Sequence, residues 1–471
     1  MTMYARLFAK LLMAPACYLR GRKYEADYRF LLRSQWWSRD ELQAFQWAEL
    51  SKLIRLAASS TPYYQELFRR IGLEPGDVKN WDDFRRIPIL RREDVVQNKE
   101  RLASATVPRS GLLSHATGGS SGVPVGFYRT WESYDWRIAC TRRAYGWSGH
   151  APGEKSLLLW GAPVGKVPVL AKWRTRVANG LMRSEVIPTF VQNDAVWQAI
   201  TGRYQAFRPR FLIGYASSLV RFARYVAEKK LRLAAPRAII SAAEGMQAQE
   251  RKFLSETIGA PVFNTYGSRE FMSIGGECEF HSGLHINSEN ILLEVESPNS
   301  SEASPLLVTD LHNAGTVFLR YSIGDVGTLS AERCACGRSL PLLASVQGRV
   351  VDTLELENGR KVQGLFFPHI LKDIPEILSY QVKQLSPQAV EVRAVLSQEI
   401  SARSQALFDS EMKKVLGNTE VTLRRVEELE TSGSGKVKVV IGLNSKAPTG
   451  GQSGEQAPGA GTEEGNNRGA G

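Results

Sequence analysis

The residues 115–124, His115-Ala-Thr117-Gly118-Gly119-Ser120-Ser121-Gly122-Val-Pro124, pack three hydroxyls and three glycines into one short run. Glycines let the backbone come close to a ligand, and hydroxyls with intervening N–H groups can surround phosphate oxygens. The Gly-Lys-Ser/Thr ending of the Walker loop is absent. Four further clusters follow. In Asn264-Thr265-Tyr266-Gly267-Ser268-Arg269-Glu270, Tyr266 offers an aromatic face for a base and Glu270 a carboxylate for Mg²⁺. Arg320-Tyr321-Ser322-Ile323-Gly324-Asp325 delivers a carboxylate at a glycine turn, suited to two vicinal hydroxyls. Gln347-Gly348-Arg349 and Ser434-Gly435-Lys436 each carry a cation beside a glycine. Taken singly, each of these also fits an ordinary turn, a capped hairpin or a solvated lysine.

Thiols and imidazoles form a separate constellation. Cys278-Glu-Phe-His281-Ser-Gly-Leu-His285 precedes Cys334-Ala-Cys336-Gly by some fifty residues. Three cysteines and one histidine make a tetrahedral zinc site, and either His281 or His285 has workable chelate spacing. No position for an activated water stands out, so the expected role is structural, pinning one loop to another. Five cysteines, two of them one residue apart, make a poor disulfide framework and suit a reducing cytoplasm.

These groups need a scaffold. Residues 25–70 read as helix, with Trp36, Trp37, Leu42, Phe45, Leu50, Leu53 and Leu56 at roughly helical spacing until Thr61-Pro62. Ser156–Trp160, Phe211–Tyr215, 238–241 and 262–265 are apolar runs that read as buried strands. Between them, Ser217 is expected to cap a helix bearing Leu219, Phe222 and Val226, and 246–258 to form another ended by Gly259. Such alternation implies a mostly parallel sheet covered by helices. After Asp352 the pattern changes: Val390, Val392 and Ala394 alternate with charges, a helix around Leu407–Leu416 stops at Gly417, and 421–426 alternates again. The expected division is a large N-terminal domain over 1–349, a small α+β domain over 350–446 and a disordered tail over 447–471, which holds eight glycines and no aromatic residue.

Composition bounds the class. With 471 residues, 43% hydrophobic and 23% charged, the chain is a multidomain globular protein rather than a disordered or collagenous one. Its net charge of +12 favours anionic partners, and the spread of basic residues among acidic ones argues against nucleic acid. The apolar run from Leu11 to Leu19 is interrupted by Pro15, is too short to span a bilayer and lacks a small-residue cleavage site. At most, residues 1–22 touch a membrane peripherally.

The order Thr-Gly-Gly-Ser-Ser-Gly-x-Pro, Tyr-Gly-x-x-Glu, Arg-Tyr-x-x-Gly-Asp, Gly-Arg and Ser-Gly-Lys resembles the adenylate-forming superfamily of acyl-CoA synthetases. Within it, the chain is most similar to the phenylacetate–CoA ligase family, especially the capsule-polysaccharide (CapK-type) branch. Thr61-Pro-Tyr-Tyr, Ile87-Pro-Ile-Leu, Gly283-Leu-His285 and Cys334-x-Cys336-Gly-Arg add to the likeness, which runs from about residue 50 to 440.

The resemblance implies an α/β fold: a large multi-layer N-terminal domain of helix-covered, mostly parallel sheets and a small mobile α+β C-terminal domain, hinged at Val351 and Asp352. It implies that a small carboxylic acid is activated by ATP as an acyl-adenylate and passed to CoA, with a non-CoA acceptor (carrier-protein thiol or sugar amine) or a silent scaffold as the alternatives. By the same likeness Thr117, Gly118, Gly119, Ser120, Ser121 and Gly122 grip the phosphates, and Ala243 and Glu244 flank the adenine. Tyr266 and Gly267 wall the base, Glu270 holds Mg²⁺, and Asp325 takes the ribose hydroxyls with Arg349 nearby. Lys436 bridges carboxylate and α-phosphate. Family members carry zinc, which points to Cys278, His285, Cys334 and Cys336. One departure stands out: Arg269 occupies the position of a small Thr or Ser.

Overall fold

A computed structural model describes residues 1–117, 125–160, 169–189, 191–192, 194–243, 246, 248–297, 303–347, 353–364, 366–371, 373–396, 398–427, 429 and 439–443. Its centre is an eleven-stranded sheet with two different halves. Strands Ser184–Pro188, Ser156–Trp160, Phe211–Tyr215, Ala238–Ala242 and Val262–Ser268 run parallel in that order. Phe211–Tyr215 and Ala238–Ala242 are buried at every position. Helices on both faces demand this, and it is why the strands read as unbroken apolar runs. The helices Asp194–Phe207, Ala216–Glu228 and Ala248–Ile258 supply Trp197, Phe222 and Leu254 to the core on one side.

The sheet then turns antiparallel through Met272–Glu277, Leu284–Ile286, Leu342–Gln347, Tyr321–Ser330, Ser304–Asp310 and Ile291–Val295. Nothing in the helix–strand alternation announces this half. Its faces are packed by Phe271, Phe318 and Tyr321 together with Tyr64, Leu67 and Phe68 from the N-terminal helices. The Ile87-Pro-Ile-Leu90 run locks on here. Leu90 N–H donates to the Arg320 carbonyl and Ser322 N–H to that of Leu90, while the Arg320 guanidinium caps the Ile87 carbonyl at 2.7 Å.

Two local expectations are corrected. Within 25–70 the helix breaks at Thr61-Pro62 as expected, before Pro62–Ile71, but the residues ahead of it form two helices, Tyr24–Ser34 and Arg39–Ser60, rather than one. Ser38 and Glu41 form a capping box that restarts the chain, and Pro62 lacks the N–H a continuing helix would need. Ser217 is not a cap. The strand Phe211–Tyr215 runs straight into the helix, so Tyr215, with extended backbone, occupies the cap position.

The small unit holds Ile377–Ser386 and Ala389–Leu396 as an antiparallel hairpin, with Glu420–Arg425 and Val440–Ile441 added in parallel at either edge. Helix Ala402–Leu416 drops Phe408 and Met412 onto Tyr380, Val382 and Val392, and ends at Gly417 with φ 66°. Strand Lys361–Gln363 pairs with Val191–Gln192, and Tyr215 packs in the same apolar cluster as the small unit. The tail, 447–471, lies outside the described residues, as does the expected hinge at Val351 and Asp352. Among the described residues no helix is long and apolar enough to cross a membrane.

Candidate functional site

The carboxyl ends of the parallel strands gather the candidate residues, the place where open α/β sheets bind ligands. Trp160 and Tyr215 end neighbouring strands with ring centroids 4.5 Å apart. Ala243 follows Ala242 at the next strand end, exposed and with φ 66°, a left-handed backbone that lifts the chain off the strand. Tyr266 follows on Val262–Ser268, buried, and its hydroxyl donates to Asp325 Oδ2 at 2.9 Å. Asp325, half-buried, comes from the antiparallel half, so this bond joins two segments 59 residues apart.

Gly267 is required by its surroundings. The register shifts between Tyr266 and Gly267, and a Cβ at 267 would lie 1.7 Å from the Met272 carbonyl oxygen. Only a residue without a side chain lets the hairpin close so tightly. The tightness fixes the turn in which Glu270 is buried.

Across from this turn stands a hairpin of Leu113–Ala116 and Gly126–Arg129. Thr117 closes its neck: its N–H donates to the Val125 carbonyl at 2.9 Å and its Oγ1 accepts from Val125 N–H at 3.0 Å. Gly118, Gly119, Ser120, Ser121 and Gly122, which connect the strands, lie outside the described residues, as do Glu244, Arg349 and Lys436. The Arg269 guanidinium donates to the Ala116 carbonyl at 3.3 Å. The residue that departs from the expected small side chain therefore ties the glutamate turn to the glycine-rich hairpin.

The neck of the hairpin gathers Arg129, Arg269 and Arg137, the last of them paired with the buried carboxylate of Asp310. Burial, then Arg129, Arg137 and Arg269, push the His115 imidazole down to about 4, and burial with Arg137 pushes the Arg129 guanidinium down to about 10. Arg129 contacts His115 directly, and His115 lies over Phe127. A neutral imidazole amid crowded guanidinium groups is an environment that favours a polyanion. The sequence reading passed over Arg129. Its signal was the period-two placement of His115 and of Phe127 and Arg129 on strands flanking the glycines.

Away from this cleft, Cys278, His285, Cys334 and Cys336 bring four ligand atoms within 4.8 Å of one another. Cys278 Sγ lies 3.6 Å from Cys334 Sγ, and Cys336 Sγ 3.3 Å from His285 Nε2. Zinc–sulfur bonds of about 2.3 Å in a tetrahedron put sulfurs about 3.8 Å apart, so the donor set fits the ion. The His285 Nδ1, 3.4 Å from the Leu340 carbonyl, is the ring atom turned away from the cluster. Burial holds the His285 imidazole at about 4 and pushes the Cys278 thiol up to about 12. Burial also opposes the Cys336 thiolate, yet the Arg338 N–H and guanidinium bring that thiol below its usual value. His281 is engaged elsewhere, with Glu277 at 3.0 Å and Arg251 at 2.6 Å.

The chain resembles known proteins over most of its length. Residues 354–442 match the CapK C-terminal domain. The chain is 25% identical to a phenylacetate–coenzyme A ligase of Thermus thermophilus over 87% of its own length and 92% of that protein. It is 26% identical to protein CapK of Staphylococcus aureus over 62% and 63% of the two chains. Crystal structures of 2-hydroxyisobutyryl-CoA ligase, at 18% identity, share the fold. One, with 2-HIB-AMP and CoA in the thioesterification state, gives a TM-score of 0.57 over 87% of this chain and 92% of that one. Another, in the postadenylation state, gives 0.53 over 85% and 89%. The fold is that of adenylate-forming ligases. In sequence the chain is similar to phenylacetate–CoA ligases over most of its length, and to protein CapK over a shorter span and in its C-terminal domain.

Proposed function

We propose that the protein activates a carboxylic acid with ATP as an acyl-adenylate and transfers the acyl group to CoA. The observation that supports this most is the Tyr266–Asp325 hydrogen bond at the strand ends, next to a glycine- and hydroxyl-rich hairpin whose neck is ringed by guanidinium groups. A carboxylate is a poor electrophile because oxide is its leaving group. In the reaction a carboxylate oxygen attacks the α-phosphorus of ATP, the bond to pyrophosphate breaks, and AMP becomes the leaving group when the CoA thiolate attacks the acyl carbon. Two anions must meet, so the help required is charge stabilisation and positioning.

In this reading Thr117, Gly118, Gly119, Ser120, Ser121 and Gly122 hold the phosphates. Tyr266 and Gly267 wall the base, with Ala243 and Glu244 on its other side. Asp325 accepts from the ribose hydroxyls, oriented by the Tyr266 hydroxyl, and Arg349 lies beside them. Lys436 neutralises the oxygens of carboxylate and α-phosphate as they meet. Glu270 is the residue to hold Mg²⁺, which supplies charge neutralisation on the phosphates. Cys278, His285, Cys334 and Cys336 hold zinc in a structural role, since all four donors are used and none is left for water.

Carboxylate-dependent exchange of pyrophosphate into ATP, across a panel of acids, tests the first half-reaction. Exchange with at least one acid, lost in Lys436→Ala, is expected; no exchange with any acid would mean a silent scaffold. The alternative acceptor for the same adenylate is a carrier-protein thiol or a sugar amine. Product analysis with and without CoA separates the two.

A further inference from the structure

The N-terminal residues and a helix far along the chain share one exposed face. Residues 3–19 are helical, with a π-helical stretch Phe8–Met13 in the middle. Ala5 and Phe8 are buried and close on Gly153, where a Cβ would meet Ala5 and Phe8 at 3.2 Å. The segment is therefore seated on the body. Its other side carries Met3, Leu7 and Leu11, four residues apart; Met3 is 78% exposed and Leu11 66%.

Helix Val169–Met182 repeats the pattern with Trp173, Val177 and Leu181, Trp173 being 62% exposed. The two stripes belong together: the Tyr4 hydroxyl donates to the Leu181 carbonyl at 2.7 Å, and the Arg183 guanidinium lies 4.8 Å over the Tyr4 ring. An exposed apolar face built from two elements marks an interaction surface.

Charge says what covers it. Residues 1–24 and 169–184 hold nine Lys and Arg and no Asp or Glu, and so supply nine of the net +12 of the whole chain. Arg6, Lys10, Arg20, Arg174 and Arg176 are exposed around the apolar stripes. A second copy of the chain would set these positive rims against each other. A nucleic acid would meet the rims and leave Trp173 and the leucines without a partner. An anionic bilayer matches both parts, taking apolar side chains below the headgroups and attracting Lys and Arg at their level.

We propose that this face docks on the surface of a bilayer containing anionic lipid, lying in the interface rather than crossing it. The proposal is independent of the ligase reading. Flotation of the full chain with vesicles of phosphatidylcholine, with or without phosphatidylglycerol, tests it. Binding is expected only with phosphatidylglycerol present. It should weaken about fivefold for each charge removed in Arg6→Gln, Lys10→Gln, Arg174→Gln and Arg176→Gln variants. Trp173→Glu and Leu11→Glu should each abolish it, with melting temperature as the check on folding. If Leu11→Glu unfolds the chain, Trp173→Glu on the second helix decides. The proposal is overturned by equal binding to neutral vesicles, by no binding, or by a Trp173→Glu protein that floats like the parent. It is equally overturned if the chain ignores vesicles and forms a dimer that Trp173→Glu dissociates.

Discussion

Removing the Tyr266 hydroxyl isolates one link in the proposed nucleotide site. Tyr266→Phe keeps the ring and deletes only the donor that reaches Asp325 Oδ2 at 2.9 Å. Hydrogen bonds to charged groups contribute about 1.5–3 kcal/mol. Asp325 is half-buried, so the lower end, about 1.5 kcal/mol, is the expected loss, or roughly tenfold. If the hydroxyl serves to orient a carboxylate that receives the ribose, that tenfold appears in KM for ATP during pyrophosphate exchange, with kcat nearly unchanged. Asp325→Ala removes the acceptor itself and should raise KM by roughly a hundredfold, since two charge-assisted bonds go with it. In that background Tyr266→Phe should add almost nothing, because the two residues act as one unit. Melting temperatures of the three variants separate a site effect from unfolding. The reasoning is refuted if the two effects multiply, or if Asp325→Ala leaves KM for ATP where it was.

Gly267→Ala should destabilise the protein by about 3 kcal/mol or more in chemical denaturation, since its Cβ meets a backbone carbonyl that cannot rotate away. A stability unchanged within error would contradict the tight turn. Cys334→Ser should drop bound zinc, measured by elemental analysis, well below one ion per chain and lower the melting temperature, while His281→Ala leaves the zinc in place. His150 is half-buried against Phe211 and Tyr145, and desolvation there holds its imidazole at about 4. The unfolded chain binds this proton near 6.5, so stability is complete above that pH and falls as pH drops toward 4, by up to about 1.4 kcal/mol per unit. A His150→Gln variant should show a shallower loss over the same window in denaturation measured against pH.

What could be read from the chain alone was whatever rests on local pattern. The parallel strands showed as apolar runs because both faces are covered, and the helix of the small unit was bounded by Gly417 because a left-handed backbone ends it there. Ordered motifs pointed to the proposed chemistry, since a phosphate cradle or a Cys-x-Cys ligand pair needs fixed residue types at fixed separations. The extent of Phe211–Tyr215 could be read directly, whereas the helix after it was assigned a serine cap because the sequence does not show that the strand itself turns into the helix.

Tertiary structure alone decided the pairings between distant segments. Spacing to Cys278 left His281 in competition with the His285 that the resemblance implied; the fold turns His285 toward Cys336 and gives His281 to Glu277 and Arg251. Arg269 looked like an intruder beside the glutamate until the hairpin at Ala116 was seen to accept from it. The antiparallel half of the sheet and the apolar, basic face shared by residues 3–19 and 169–182 likewise bring together segments far apart in the chain. The physical reason is common to all of them. Period and propensity act over a few residues, while these contacts depend on which surfaces meet when the whole core closes.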